Sequence, residues 1–216
     1  MDVILHYLPK LLTGFWTTLE LTLVSAAVAL AWGLVLAALR VCPLAPLRAF
    51  ATVYVELLRN TPLTLAFFFL AFVAPQFGVI APLGFWTAVV ALSAYTSAFV
   101  CEAARSGINS VGVGQAEAAR AIGLTFGQTL SLVVLPQAMR TVVPPLINVF
   151  IALAKNTSVA SGFATVELLA SGRRLTVTDP ADTLWILGGV ALFYLLITIP
   201  SGIAAGVVER KVAIAR

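Results

Sequence analysis

The stretch Gly114–Pro136, GQAEAARAIGLTFGQTLSLVVLP, is the most distinctive polar interruption in a chain that otherwise reads as membrane. Its first part, Gln115 to Ile122, is rich in helix formers, four of them alanine. Alanine keeps such a helix slender, so that it can lie in a groove on another protein. Gly123 then supplies a C′ residue, because it takes positive φ without a Cβ clash. Thr125 and Gln128 have the spacing of a capping box, which starts a second helix. The local physics predicts helix, sharp turn, helix.

Working outward, the chain has 216 residues, 61% hydrophobic and only 10% charged, with a mean hydropathy of +1.04. No soluble domain can hide that much apolar surface, so the composition predicts one all-α integral membrane domain with no appended soluble module. Five spans are expected, at about 15–39, 50–73, 85–106, 137–158 and 183–208, each close to the roughly 20 residues that cross about 30 Å of hydrocarbon. The polar loop occupies 107–136. Pro75, Gly78, Pro82 and Gly84 mark a tight external turn, and a short helix is expected at 166–170. One set of loops holds Arg40, Arg48, Arg105, Arg120, Arg140, Arg210, Lys211 and Arg216; the other holds Lys10, Arg173 and Arg174. That bias predicts an external N-terminus, with the polar loop and the C-terminus in the cytoplasm.

Several function classes drop out. No basic stripe stands clear of the spans, which argues against nucleic acid as a partner. Cys42 and Cys101 lack metal-ligand spacing and read as free thiols, and His6 is alone, so no metal site is expected. Asp2 stands where a signal peptide would be basic, and the first apolar run is span-length. No Gly-rich phosphate loop with Lys-Ser/Thr is present, so the chain is not expected to hold an ATP site or to be an enzyme by itself.

Four ionisable residues fall inside predicted spans: Glu20, Glu56, Arg59 and Lys155. Charges there are expensive and by default functional. Glu56 and Arg59 are three apart on one helical face. They form either an internal ion pair or, with Arg59 suited to bidentate carboxylate contact, part of a lining for a carboxylate-bearing substrate. Pro62 removes a backbone donor just beyond, which in a membrane is tolerated where a polar cavity is lined. Thr61, Thr64, Asn156, Thr157 and Ser158 add polar groups at the same two places. The expected substrate path is therefore Arg59, Thr61, Glu56, Lys155, Asn156, Thr157 and Ser158; the competing reading is hydroxyls that bond back to their own helices. Glu102 and Arg105, three apart, read as a structural pair beside the loop.

Glu117-Ala118-Ala119, Gly123 and Val133-x-Leu135-Pro136 resemble the EAA loop of binding-protein-dependent ABC importer permeases; only Val133 departs, from isoleucine. The resemblance extends through Tyr95-Thr96-Ser97, Glu102, Arg105-Ser106-Gly107-Ile108, Gln137-Ala138-Met139-Arg140 and Lys155-Asn156-Thr157-Ser158. These resemble the polar amino-acid uptake subgroup. Arg59-Asn60-Thr61-Pro62-Leu63-Thr64-Leu65 and Gly107-Ile108-Asn109 look most like the glutamate-uptake permeases of actinobacteria.

The resemblance implies a five-helix permease of the type I ABC importer fold in the bacterial plasma membrane, importing glutamate or the related glutamine or aspartate. It implies that Gln115, Glu117, Ala118, Ala119, Arg120 and Gly123 form a cytoplasmic coupling helix docked on an ATPase. It further implies two ATPase subunits that bind ATP and Mg, a second permease chain, alike or homologous, and an extracytoplasmic amino-acid-binding protein, with no cofactor in this chain. The alternatives are a self-sufficient channel or secondary carrier, and a purely structural membrane subunit.

Overall fold

The computed structural model describes residues 2–78 and 83–212, with side chains for 5–78 and 83–211. Pro82 of the predicted turn and Arg216 of the predicted cytoplasmic set lie outside the described residues. Among the described residues all regular structure is helical. Helix α1 (Asp2–Arg40) begins well before the predicted span and runs through Pro9 without a break. Helix α4 (Phe85–Asn109) lies at the centre of the bundle and is the most buried of the long helices. It packs along α1, where Gly33 lets the two backbones close up: a Cβ there would stand 2.6 Å from Val100 Cβ and 2.8 Å from the carbonyl oxygen of Ser97. Small residues at helix crossings are how membrane helices gain contact where lipid offers no hydrophobic drive.

The predicted second span is not continuous. Helix α2 (Ala45–Arg59) and helix α3 (Leu63–Phe68), which goes on through a π turn and a 3-10 turn to Phe77, meet at a bend of 110°. The cause is the sequence Asn60-Thr61-Pro62. A residue before proline is pushed out of the α region, and carbonyls of the last turn of α2 are bonded locally: the Asn60 side-chain amide donates to the Glu56 carbonyl at 2.8 Å, beside the Asn60 backbone N–H, and the Thr61 hydroxyl to the Leu57 carbonyl at 2.7 Å. Pro62 then sits at the N-cap of α3.

Helix α5 (Val113–Ala121) follows α4 after a three-residue turn. Gly123 has φ +90°. The capping box forms: the Gln128 amide donates to Thr125 Oγ1 at 3.3 Å, and the Thr125 amide to Gln128 Oε1 at 2.9 Å. Nothing stops the helix it starts. The short α6 (Phe126–Gln128), a π turn (Thr129–Val134), α7 (Leu135–Asn156) and a 3-10 segment make one run, Phe126–Gly162. The fourth span thus begins at Phe126 and not at 137, and the polar loop is correspondingly shorter. The wide turn falls directly before Pro136, whose missing N–H cannot join a regular ladder.

Helix α8 (Leu168–Thr178) is longer than the predicted 166–170 helix, and α9 (Thr183–Val212) completes the bundle. Three apolar clusters hold it together. One joins α1, α3, α4 and α7 around the stacked rings of Phe67 and Phe163, 4.9 Å apart. A second joins the first half of α1 to α8 and α9 through Leu11, Leu168 and Ile186. The third joins the end of α1 to α2 and α4 through Leu36, Val55 and Cys101. Helices α5 and α8 therefore lie at opposite ends of the bundle.

Candidate functional site

At the α5 end, the residues expected to couple are displayed outward. Gln115, Glu117, Ala118, Arg120 and Gly123 are exposed, and only Ala119 is buried. Leu124 donates its amide to the Ala119 carbonyl at 3.2 Å, closing the turn. No ion pair joins Glu117 to Arg120 among the described residues, so both are free for another surface. Val113, Ile122 and Phe126 project apolar side chains around them, 72%, 81% and 74% exposed. An apolar cluster left this open next to fixed charges has the make-up of a docking element.

Above it, inside the bundle, lies an ion cluster that sequence reasoning saw only in part. Glu102 on α4 pairs with Arg105 as expected, but it also accepts from Arg40 of α1 at 2.8 Å and lies 3.4 Å from Arg59 of α2. Arg40 in turn reaches Glu56 at 3.8 Å. The partner of Arg59 is thus Glu102, not Glu56. Arg40 and Glu102 are the sheltered members, with side chains 13% and 21% exposed. Their meeting joins three helices far apart in sequence, so no local spacing signals it.

The residues of the predicted substrate path divide among several places. Arg59 is the last residue of α2, at the corner of the bend, and its guanidinium lies 6.0 Å from the centre of the Phe99 ring. Phe99 lines a cavity of about 500 Å³ between α4 and α7, with Tyr95, Thr96, Asn148 and Asn156. Arg59 and Asn156 thereby flank one ring. Lys155, in the last turn of α7, is exposed. Placement in the last turn of a helix suits both cations, since the carbonyl end of a helix carries partial negative charge. Thr61 belongs to a separate, apolar cavity with Tyr54, Leu65 and Phe69. The Thr157 hydroxyl is buried and donates to the Ala154 carbonyl at 2.8 Å, and that of Ser158 to the Lys155 carbonyl at 2.7 Å. Thr64 and Glu20 are exposed.

At the opposite end, Glu167 is fully buried and caps α8. It accepts from the amides of Leu169 and Ala170 at 2.9 and 2.8 Å and from the Tyr194 hydroxyl at 2.9 Å. Burial pushes its carboxyl above the ordinary carboxylate value, against the pull of these donors. A glutamate three residues past the positive-φ Ala164, in an otherwise unremarkable connection, carries no motif to find it by.

Comparison with known proteins follows this geometry. The glutamate transport system permease protein GluC of Corynebacterium glutamicum is 38% identical over 225 aligned positions, covering 95% of each chain. The glutamate/aspartate import permease protein GltK of Escherichia coli O6:H1 is 30% identical over 213 positions, again covering 95% of each. A crystal structure of an amino acid ABC transporter with histidines superposes with a TM-score of 0.89 at 29% identity, covering 96% of both chains. The all-helical type I permease fold expected from the sequence is the one found, with four long span-type helices and the bent α2–α3 pair as a fifth. Residues 29–214 match the family described as the binding-protein-dependent transport system inner membrane component, and the chain belongs to that family.

Proposed function

We propose that this chain is the permease subunit of an ATP-driven importer of polar amino acids, with the acidic amino acid glutamate as substrate and glutamine or aspartate as the alternatives. The observation that carries this reading is the α5 element, a short helix held to its own bundle by Ala119 and exposed on its remaining faces. Such an element fits the cleft of an ATPase subunit, two of which would bind ATP and Mg. The relatives named for glutamate point to the substrate. A second permease chain and an extracytoplasmic binding protein complete the assembly.

In this reading α5 moves with the ATPase pair. Helix α4 is continuous with the turn into α5 and bears Glu102, which grips Arg40 and Arg59. Displacement of α5 therefore reaches the bend of α2–α3 through one ion cluster. Arg59, beside Phe99 and the Asn156 cavity, meets the substrate carboxylate; Lys155 adds positive potential further along. Alternating access follows from relative motion of the two permease chains.

The test is Gly123→Asp in the reconstituted complex. The site has open space for a side chain but a backbone that only glycine adopts freely. The strain, about 1–3 kcal/mol, falls on the angle between α5 and α6. Glutamate uptake is expected to fall by about five- to 140-fold, by the conversion of about 1.4 kcal/mol per decade, while ATP hydrolysis and membrane insertion persist. Wild-type uptake by this variant would refute the coupling role. Failure of glutamate to stimulate the wild-type ATPase would refute the substrate.

A further inference from the structure

Three basic residues, Lys10, Arg173 and Arg174, belong neither to the coupling element nor to the Arg59 region. The fold gathers them at the end of the bundle opposite α5, in two adjoining cavities that share Arg174 and Thr178. The larger, about 500 Å³, has Ser161, Thr165, Arg173 and Arg174 in its wall. The smaller, about 330 Å³, adds Lys10 and Thr13.

Two independent features point to a ligand. Neither guanidinium has an ion-pair partner among the described residues. The acids close by in sequence are engaged elsewhere: Asp179 and Asp182 both lie against the Tyr7 hydroxyl, Asp182 accepting from it at 3.1 Å, and Glu167 is saturated by its own cap and Tyr194. Thr165, only 3% exposed, lines the larger cavity, and its Oγ1 has no hydrogen-bond partner in the chain. A buried hydroxyl left unpaired is costly, and this one belongs to a residue in the wall of the cavity.

We propose that the Arg173–Arg174 cavity is an entry subsite for a small amino dicarboxylate, occupied before the substrate reaches Arg59. This rests on the acidic-amino-acid reading above. Guanidinium forks match carboxylates two bonds at a time, and the volume suits a small solute, within the range of roughly 300–1,000 Å³ typical of ligand pockets. The rival occupant is an acidic side chain of the docked binding protein. Concavity and a sheltered Thr165 favour a molecule that enters the cavity over a surface laid across it.

The experiment uses the whole complex in nanodiscs, held with a non-hydrolysable ATP analogue, and measures equilibrium binding of radiolabelled L-glutamate without binding protein. Replacing both arginines with glutamine (R173Q/R174Q) is expected to weaken binding at least tenfold, and to weaken L-glutamine binding less. Arg173→Lys with Arg174→Lys, which keeps the charge but loses the two-bond fork, restores only part of the affinity, and Thr165→Val costs about threefold. Unchanged glutamate affinity in R173Q/R174Q overturns the proposal. So does a loss confined to docking of the substrate-free binding protein, which would make this a protein contact. If the wild-type complex imports glutamate yet R173Q/R174Q binds it normally, the subsite alone fails. If the wild type imports no dicarboxylate at all, the proposed substrate fails and the subsite with it.

Discussion

At the scale of single residues, Glu102 decides more than any other side chain. One carboxylate faces three guanidinium groups, of Arg40, Arg59 and Arg105. Glu102→Gln keeps the shape and removes the charge, leaving three cations with only the half-exposed Glu56 to offset them. A hydrogen bond to a charged group contributes about 1.5–3 kcal/mol, so a loss of that order is expected in thermal unfolding of the detergent-solubilised complex. A second mutation, Arg40→Gln, relieves part of the repulsion, and the pair is expected to be less destabilised than the sum of the singles. Additive losses would mean the cluster is not a unit. Sequence reading reached half of this site: the i,i+3 spacing of Glu102 and Arg105 is visible on one helix, whereas Arg40 reaches Glu102 only after α1 and α4 have packed.

At the scale of elements, local chemistry was legible and tertiary breaks were not. The Thr125–Gln128 capping box and the positive φ of Gly123 follow from residue type alone, because both are settled within four residues. In the sequence the bend at Asn60–Pro62 is only a proline inside a predicted span, since hydropathy is continuous across it. The side chains of Asn60 and Thr61 satisfy the terminal carbonyls and make a clean stop possible, which a hydropathy window does not register. Helix α8 poses a further test through its cap. The folded-state acidity of Glu167 lies above its ordinary value because burial penalises the charge. Its contribution to stability is therefore fully present below the ordinary carboxylate value near 4.5 and is lost as pH rises through the elevated one. Glu167→Gln removes that dependence. As pH rises from about 4.5 through that elevated value, the wild type is expected to lose thermal stability relative to Glu167→Gln, measured as the change in the difference of their unfolding temperatures. A difference that stays level across this range would show that Glu167 does not titrate with folding.

At the scale of the molecule, the two ends of the bundle have opposite make-up. One end presents α5 with Glu117, Arg120 and exposed Ile122; the other presents α8 with Arg173, Arg174 and exposed Val177. Between them runs α4, with neither proline nor glycine from Phe85 to Ser106, so it transmits displacement along its axis instead of absorbing it in a kink. Import requires the two ends to face different compartments, with α5 on the ATP side. The charge bias of the loops predicts that orientation, and labelling tests it. In a background with Cys42→Ser and Cys101→Ala, a single cysteine placed as Val177→Cys is expected to react with a membrane-impermeant maleimide added to intact cells. A single Ile122→Cys is expected to react only after permeabilisation, and more slowly when the ATPase subunits are co-expressed, because they cover it. Labelling of position 122 from outside would invert the molecule. Labelling unaffected by the ATPase would detach α5 from its partner and leave the long rigid α4 with nothing to transmit.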